Sequence, residues 1–478
     1  MNKKVKTVFE QLGILVIILL LAGCSGKEEN TEKSFQMVNI DFSDVIGKMK
    51  PVNGINNGPK SHAVIAEDGL EWILDATEYY RQCRIPFVRT HDTEYPDGSN
   101  AFIDVHCIFP DMTRDPEDAK AYRFTETDIY IKNILDAGAQ VYYRLGESIG
   151  VPGADNPHQQ PPEDYTKWAE VCAHIVAHYN EGWNSGFFYN IRYWQIWNEP
   201  DQDRQWKGTI EEYYELYRVT ARRLKKQFPD IFIGICTEAS VNEENLQAML
   251  EGIRADGKDT PLDFLGWHLY TDDPKKFTFR ANLVRNVLNK NGYSATKTYL
   301  DEWNYVENWN DIEAIWEAIR QPSIASFYAA SLITMQNDPV DGAMYYDGSL
   351  TGEYAAWCGL YDNKGKLLPG YNAFYAFSKL VELGKQVRMT SESDLIGQGV
   401  YVCAADGDKE QGILISNIGK EIVSLKINIH SGYSNVEQIS MDKKNPEKTV
   451  VASETVDGQL ALEIKNGEWL YIRLMIEE

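Results

Sequence analysis

The chain has 478 residues, a formal net charge of −24, 43% hydrophobic and 25% charged residues. That length holds one large α/β domain and a smaller partner. The acidic balance argues against a nucleic-acid partner, whose phosphates would be repelled over the whole surface, and makes a heavily sulfated glycan less suitable than a neutral or weakly charged ligand. The 12 Trp and 28 Tyr suit either a sugar-binding cleft or a large core.

In chain order, Lys3, Lys4 and Lys6 precede an almost wholly apolar run over 12–21, short for a membrane span and suited to a signal-peptide core. The run ends in Leu21-Ala22-Gly23-Cys24, which resembles the bacterial lipobox. The expectation is a lipoprotein signal peptide over 1–23 and a polar tether over 24–34 lipidated at Cys24. The protein would then be membrane-anchored in the cell envelope, facing the periplasm or the outside. The other cysteines, Cys83, Cys107, Cys172, Cys236, Cys358 and Cys403, form no C-x-x-C pair. This argues against a zinc site and for mostly free, buried thiols.

From about residue 51 the chain alternates short apolar runs with helical patterns. Strands are predicted near 52–55, 84–89, 140–145, 191–197, 231–235, 264–269, 297–300 and 342–346. Helices are predicted over 127–137, 165–179, 211–228, 246–253, 281–288 and 312–335. Eight strands separated by helices imply a parallel (β/α)8 barrel, an α/β fold of the TIM-barrel type. Beyond about 382 the pattern changes to short β-type runs, which read as an accessory β-sandwich. The segment 37–42 is placed to add a strand to it. The expected division is an N-terminal sandwich strand at 35–46, the barrel at 47–380 and the sandwich at 381–478.

Three stretches end predicted barrel strands, at the face where such barrels hold their active sites. Trp194-Gln195-Ile196-Trp197-Asn198-Glu199-Pro200 runs an apolar strand into a carboxylate beside an amide. Thr298-Tyr299-Leu300-Asp301-Glu302-Trp303-Asn304 does the same three strand–helix units later, and either Asp301 or Glu302 can face inward, since neighbouring strand residues point opposite ways. Between them, His268 and Tyr270 alternate onto one face of the sixth strand. Glu199 and Glu302 lie 103 residues apart, at the ends of strands four and seven, across one cleft. Paired carboxylates are what glycoside hydrolysis needs: one protonates the leaving oxygen, and the other attacks the anomeric carbon or activates water.

Asn-Glu-Pro on strand four with a second Glu on strand seven is similar to the retaining (β/α)8 glycosidases. Within them the chain resembles glycoside hydrolase family 39, the β-xylosidases and α-L-iduronidases. The likeness rests on Val52-Asn53-Gly54-Ile55-Asn56, Arg89-Thr90-His91-Asp92, Trp197-Asn198-Glu199-Pro200-Asp201, His268-Leu269-Tyr270 and Gly359-Leu360 leading to Pro369-Gly370-Tyr371-Asn372-Ala373-Phe374.

The resemblance implies Glu199 as acid/base and Glu302 as nucleophile. It implies Asn198 on the 2-hydroxyl, and His91, His268, Tyr270 and Asp347 around the cleaved sugar. It implies no cofactor or metal, and an oligosaccharide or glycoside substrate, with β-xylosides ahead of arabinosides, galactosides or uronides. Three features depart from the family pattern: Asp301 where Thr is usual, an eighth strand without the usual Trp, and an insertion over 93–124. If Asp301 points inward, it is expected to raise the pKa of Glu302. The rival class is an inert glycan-binding lipoprotein on the same barrel, against which the two intact glutamates argue.

Overall fold

The computed structural model describes residues 35–59, 63–65, 71–73, 75–91, 102–149, 157–348, 358–362, 365–430, 435–439, 449–451 and 458–475. Cys24 and the segments expected to be its signal peptide and tether lie outside the described residues, as do Asp92 and the first part of the 93–124 insertion. No helix among the described residues is long and apolar enough to cross a membrane.

After β1 (Gln36–Lys48), the chain forms β2 (Gly54–Asn56) and a hairpin of β3 (Ala63–Ile65) and β4 (Glu71–Ile73). There follow α1 (Thr77–Gln82), β5 (Phe87–Thr90), α2 (Val105–Ile108), α3 (Thr125–Asp136), β6 (Gln140–Leu145), α4 (Tyr165–Asn180), β7 (Tyr193–Ile196) and α5 (Ile210–Gln227). The barrel is completed by β8 (Phe232–Cys236), α6 (Glu243–Gly252), β9 (Phe264–Tyr270), α7 (Lys275–Lys290), β10 (Lys297–Asn304), α8 (Ile312–Ile319), α9 (Ile324–Asn337), β11 (Gly342–Tyr345) and α10 (Gly370–Leu383). Strands β2, β5 to β11 close a parallel barrel in that order, with β11 beside β2.

Several predicted bounds differ in the structure: the helix read over 281–288 runs from Lys275 to Lys290 and the strand read over 297–300 continues to Asn304, and two further differences turn on a proline. The helix read over 312–335 is two helices, because Pro322 lacks an amide hydrogen and its ring cannot sit in a helix interior. The second strand begins at Phe87 rather than at 84, since Pro86 cannot donate to a ladder and Arg84 has a left-handed backbone (φ 46°).

Inward-facing residues stack in layers along the barrel axis. Phe87, Tyr142, Tyr193, Phe264, Tyr299 and Met344 fill the floor. The aromatic richness is therefore largely core: Trp168, Trp194, Trp197, Trp206, Trp267 and Trp303 are all fully buried.

The rest of the chain adds β12 (Lys385–Ser391), β13 (Val400–Asp406), β14 (Glu410–Asn417), β15 (Val423–His430), β16 (Asn435–Ile439), β17 (Thr449–Val451), β18 (Gln459–Ile464) and β19 (Glu468–Met475). With β1 between β12 and β15, these make a nine-stranded sheet around a second core that includes Val38, Ile40, Val402, Ile415, Ile427 and Ile472. Strand β13 is buried on both faces. Val400, Val402 and Ala404 enter that second core, while Tyr401, Cys403 and Ala405 join the barrel's own core, where α9 and α10 pack on the sheet. Such two-sided burial fixes the sandwich against the barrel. All six cysteines among the described residues are free, and five are buried.

Candidate active site

The polar groups above the aromatic floor come from strand positions set by the period of two. On β5, Phe87 lies in the floor, Arg89 stands one layer up and His91 reaches the mouth. On β9, Gly266 and His268 follow Phe264 in the same way. A Cβ on Gly266 would stand 2.1 Å from Asp301 Oδ2, so glycine there makes room for a buried acid. On β10 the parity breaks. Leu300 pairs with Trp267 and Glu302 with His268, leaving Asp301 as an extra residue in a bulge. The bulge turns Asp301 and Glu302 both inward, one above the other, which settles the alternative the sequence left open.

Glu302 is held from several sides. Arg89 Nη1 donates to its Oε1 at 2.7 Å, His91 Nε2 lies 3.1 Å from the same oxygen, and Tyr270 donates its hydroxyl to Oε2 at 2.7 Å. Burial pushes its pKa up, but the charges of His268, His91 and Arg89 outweigh it and hold the carboxyl well below the usual range. The expected rise from Asp301 is therefore not found. Asp301 faces Arg89 instead, at 3.5 Å, and accepts from Gln195 Nε2 at 2.5 Å and the Tyr142 hydroxyl at 3.1 Å.

Glu199 stands across from Glu302. Its backbone has φ 31° and that of Trp197 has φ 61°, a left-handed geometry that non-glycine residues adopt at a cost. Burial raises the Glu199 pKa, with the Glu302 charge adding to the rise, while His268 pulls against both. His268 Nδ1 donates to Glu199 Oε1 at 2.6 Å and lies 3.5 Å from Glu302 Oε2, so one imidazole bridges the two carboxylates. Burial alone would lower the His268 pKa, yet Glu302 and the groups behind the ring, Asp301 and Cys236, hold it well above the ordinary value. The Glu199 side chain keeps 14% of its surface exposed and that of Glu302 5%, which puts Glu199 on the open side of the cleft. One ligand oxygen from each glutamate lies within 4.8 Å of the other.

Asn198 is oriented by Arg89, whose Nη2 donates to Oδ1 at 2.6 Å. Its buried Nδ2 has no partner among the described residues. Asp347 is tied to the cluster through Asn57, which donates to its Oδ2 at 3.2 Å and whose Oδ1 accepts the His91 amide at 3.0 Å. The structure thus brings Asn198, Glu199, His91, His268, Tyr270 and Glu302 into one constellation and sets Asp347 at its edge. Sequence reasoning did not assign Arg89 or Gln195 a role. The available signal was a polar side chain at an inward position of an apolar strand, where burial demands a partner.

A second polar cluster braces the end of β6 beside β7. Arg144 Nη2 lies 3.1 Å from Asp104, Glu147 bonds His106, and His158 stacks on His106 at 3.8 Å. Burial pushes Glu147 up to about 7, whereas His106, despite burial, is pushed up to about 11 by Cys107 and Glu147. Both clusters hold ligand atoms at metal-binding distances. In each, the carboxylates already bond arginine or histidine cations, so a metal ion is a poor chemical fit.

An eight-stranded parallel barrel with glutamates facing each other at the ends of its fourth and seventh strands defines, as a class, the two-carboxylate glycosidase barrels. The profile of "Glycosyl hydrolases family 39" matches residues 74–346, and the chain belongs to that family. It is 23% identical over 280 residues to a β-xylosidase of Geobacillus stearothermophilus, covering 53% of each chain. It is 23% identical over 334 residues to a β-xylosidase of Caldicellulosiruptor saccharolyticus, covering 64% of this chain and 65% of the relative. The chain thus spans between half and two thirds of the length of these relatives. A solved glucosidase from Croceicoccus marinus has the same fold, with a TM-score of 0.73 at 20% identity, over 93% of this chain and all of that one.

Proposed function

We propose that the protein is a retaining glycoside hydrolase acting on β-xyloside-like substrates, with Glu199 as acid/base and Glu302 as nucleophile. The observation that carries this reading is the carboxylate separation, within 4.8 Å between oxygens. Retaining enzymes hold their carboxyls about 5–5.5 Å apart, whereas inverting enzymes leave about 6.5–9.5 Å for a water. The opposed pKa shifts agree with the roles. Glu199, whose pKa burial raises, stands on the open side and protonates the departing oxygen as the C–O bond breaks. Glu302, whose carboxyl is held well below the usual range, attacks the anomeric carbon to form a glycosyl ester. Glu199 then takes a proton from the water that cleaves that ester. The unpartnered Nδ2 of Asn198 is free to donate to a hydroxyl of the bound sugar.

The test is hydrolysis of aryl β-xyloside, β-glucoside, β-galactoside and α-L-arabinofuranoside, with the first product's configuration followed by NMR. Turnover of the xyloside with the β-anomer appearing first is expected. An α-anomer first would overturn the retaining assignment, and activity confined to another sugar would overturn the substrate. We also propose that Cys24 carries a lipid that anchors the enzyme in the cell envelope, on the strength of the Leu21-Ala22-Gly23-Cys24 run. Cys24→Ala should move the protein out of the detergent-extracted membrane fraction; an unchanged fractionation would reject the anchor.

A further inference from the structure

Two side chains close on the far nitrogen of the His268 ring. Nε2 lies 3.4 Å from Asp301 Oδ1 and 3.5 Å from Cys236 Sγ. Asp301 is fully buried, and this oxygen has no hydrogen-bond partner among the described residues. Its other oxygen is engaged, by Gln195 Nε2 at 2.5 Å, the Tyr142 hydroxyl at 3.1 Å and Arg89 Nε at 3.5 Å. Burial pushes the Cys236 thiol up, so the sulfur keeps its hydrogen and gives it to Asn198 Oδ1 at 3.4 Å. Both neighbours of Nε2 therefore act as acceptors, and Nε2 carries a hydrogen.

The near nitrogen, Nδ1, lies 2.6 Å from Glu199 Oε1 and 3.5 Å from Glu302 Oε2. With one hydrogen already on Nε2, a neutral ring leaves Nδ1 bare, and Glu199 would then turn its own proton inward to bond it. A charged ring carries a hydrogen on each nitrogen. Nδ1 then donates to Oε1, and the Glu199 proton is left to Oε2. Which ring forms depends on the charge around it. The groups facing it are Glu199 from the end of β7, Cys236 from β8, and Asp301 and Glu302 from β10, with Arg89 on β5 and His91 just beyond that strand as cations on the far side of the acids. Asp301 is the member of that set added by the β10 bulge.

We propose that Asp301 is a positioning residue whose carboxylate keeps the His268 ring a double donor and so places the transferable proton of Glu199 on Oε2. This deepens the glycosidase reading and rests on it. As the C–O bond of the substrate breaks, the Oε2 proton passes to the departing oxygen, and the bonding pair left on Glu199 makes a carboxylate that Nδ1–H already contacts. The negative charge of Asp301 is the operative feature, since a neutral acceptor behind Nε2 suits the neutral ring equally well.

Asp301→Asn tests this, because it keeps the shape and an acceptor but removes the charge. In protein labelled with 15N-histidine, the signals of His268 are those, among eight histidines, that His268→Gln removes. Both of its ring nitrogens should be protonated above neutral pH in the wild type. In Asp301→Asn the ring should lose a proton at a pH lower by about one unit or more. Should that variant fail to fold, Asp301→Thr, also neutral, is expected to shift the ring in the same direction. In kinetics, kcat/KM of Asp301→Asn should fall about 100-fold on phenyl β-xyloside, which needs a proton. It should fall less than about threefold on 2,4-dinitrophenyl β-xyloside, which does not. A neutral ring in the wild type above neutral pH, an unmoved titration in the variant, or equal losses on the two xylosides would overturn the proposal. A shifted titration without cleavage of any glycoside would sustain the control of His268 by Asp301, and the catalytic reading alone would fail.

Discussion

Glu302→Ala is expected to lower kcat on aryl xylosides by about 10⁴-fold or more, the scale seen when a nucleophile is removed from a preorganised site. The pocket should persist, because Arg89 and His268 keep Asp301 as a counter-charge. Added azide should restore turnover. It enters the space of the missing carboxylate and attacks the anomeric carbon as the aryl oxide leaves, giving a glycosyl azide of inverted configuration. Glu199→Ala should behave differently. With a good leaving group that needs no proton, the ester on Glu302 still forms, and azide opens it to a product of retained configuration. Exchange of these two outcomes would reverse the roles. More than about 1% residual activity in Glu302→Ala would move the nucleophile to another group, and Asp301, one residue away in the bulge, is the candidate.

Arg89→Met is the second large effect. The guanidinium is fully buried and bonds Gln195 at 2.8 Å, Asn56 at 3.1 Å, Asn198 at 2.6 Å and Glu302 at 2.7 Å. Removing it strands Asp301 and Glu302 with less compensating charge, at a cost of about 3–5 kcal/mol of folding stability. The pH dependence gives a reading that a merely structural role would not. In the proposed mechanism Glu302 works ionised, so the wild-type rate should fall as pH drops through its lowered pKa. Glu199 works protonated in it, so the rate should fall as pH rises through its raised pKa. The groups facing Glu302 are Arg89 from β5, His91 just beyond it, His268 and Tyr270 from β9, and Glu199 from the end of β7. Without Arg89 the carboxylate loses one of the cations holding it down, so the acid limb of kcat/KM should move to higher pH while the basic limb stays. Arg89→Lys should restore part of the acid limb but not the Asn198 contact, since an ammonium lacks the fork that reaches both. An unmoved acid limb in Arg89→Met would show that His91 and His268 alone set the Glu302 charge.

The barrel was legible because parallel strands buried on both faces leave near-continuous apolar runs, and helices packed against them leave a 3.6-residue period. Boundaries were less so. The strand read from residue 84 starts at Phe87, and one predicted helix breaks at Pro322, because a lone proline states where a hydrogen bond is lost but not whether the helix resumes. His91, Asn198, Glu199, His268, Tyr270 and Glu302 were all named from strand-end position and family likeness. Arg89 and Gln195 were passed over, since a polar residue inside an apolar strand has no visible partner until the strands that supply it are side by side.

By itself, then, the sequence determined the alternation of strands and helices, the strand ends that carry carboxylates, and the second, β-rich unit, all of which follow from short-range periodicity. Tertiary structure alone decided the separation of Glu199 and Glu302, the bulge that turns Asp301 and Glu302 inward together, and the cations that lower the pKa of one glutamate while burial raises that of the other. Those quantities depend on distances between side chains about a hundred residues apart, and electrostatic energy follows distance and burial rather than order along the chain.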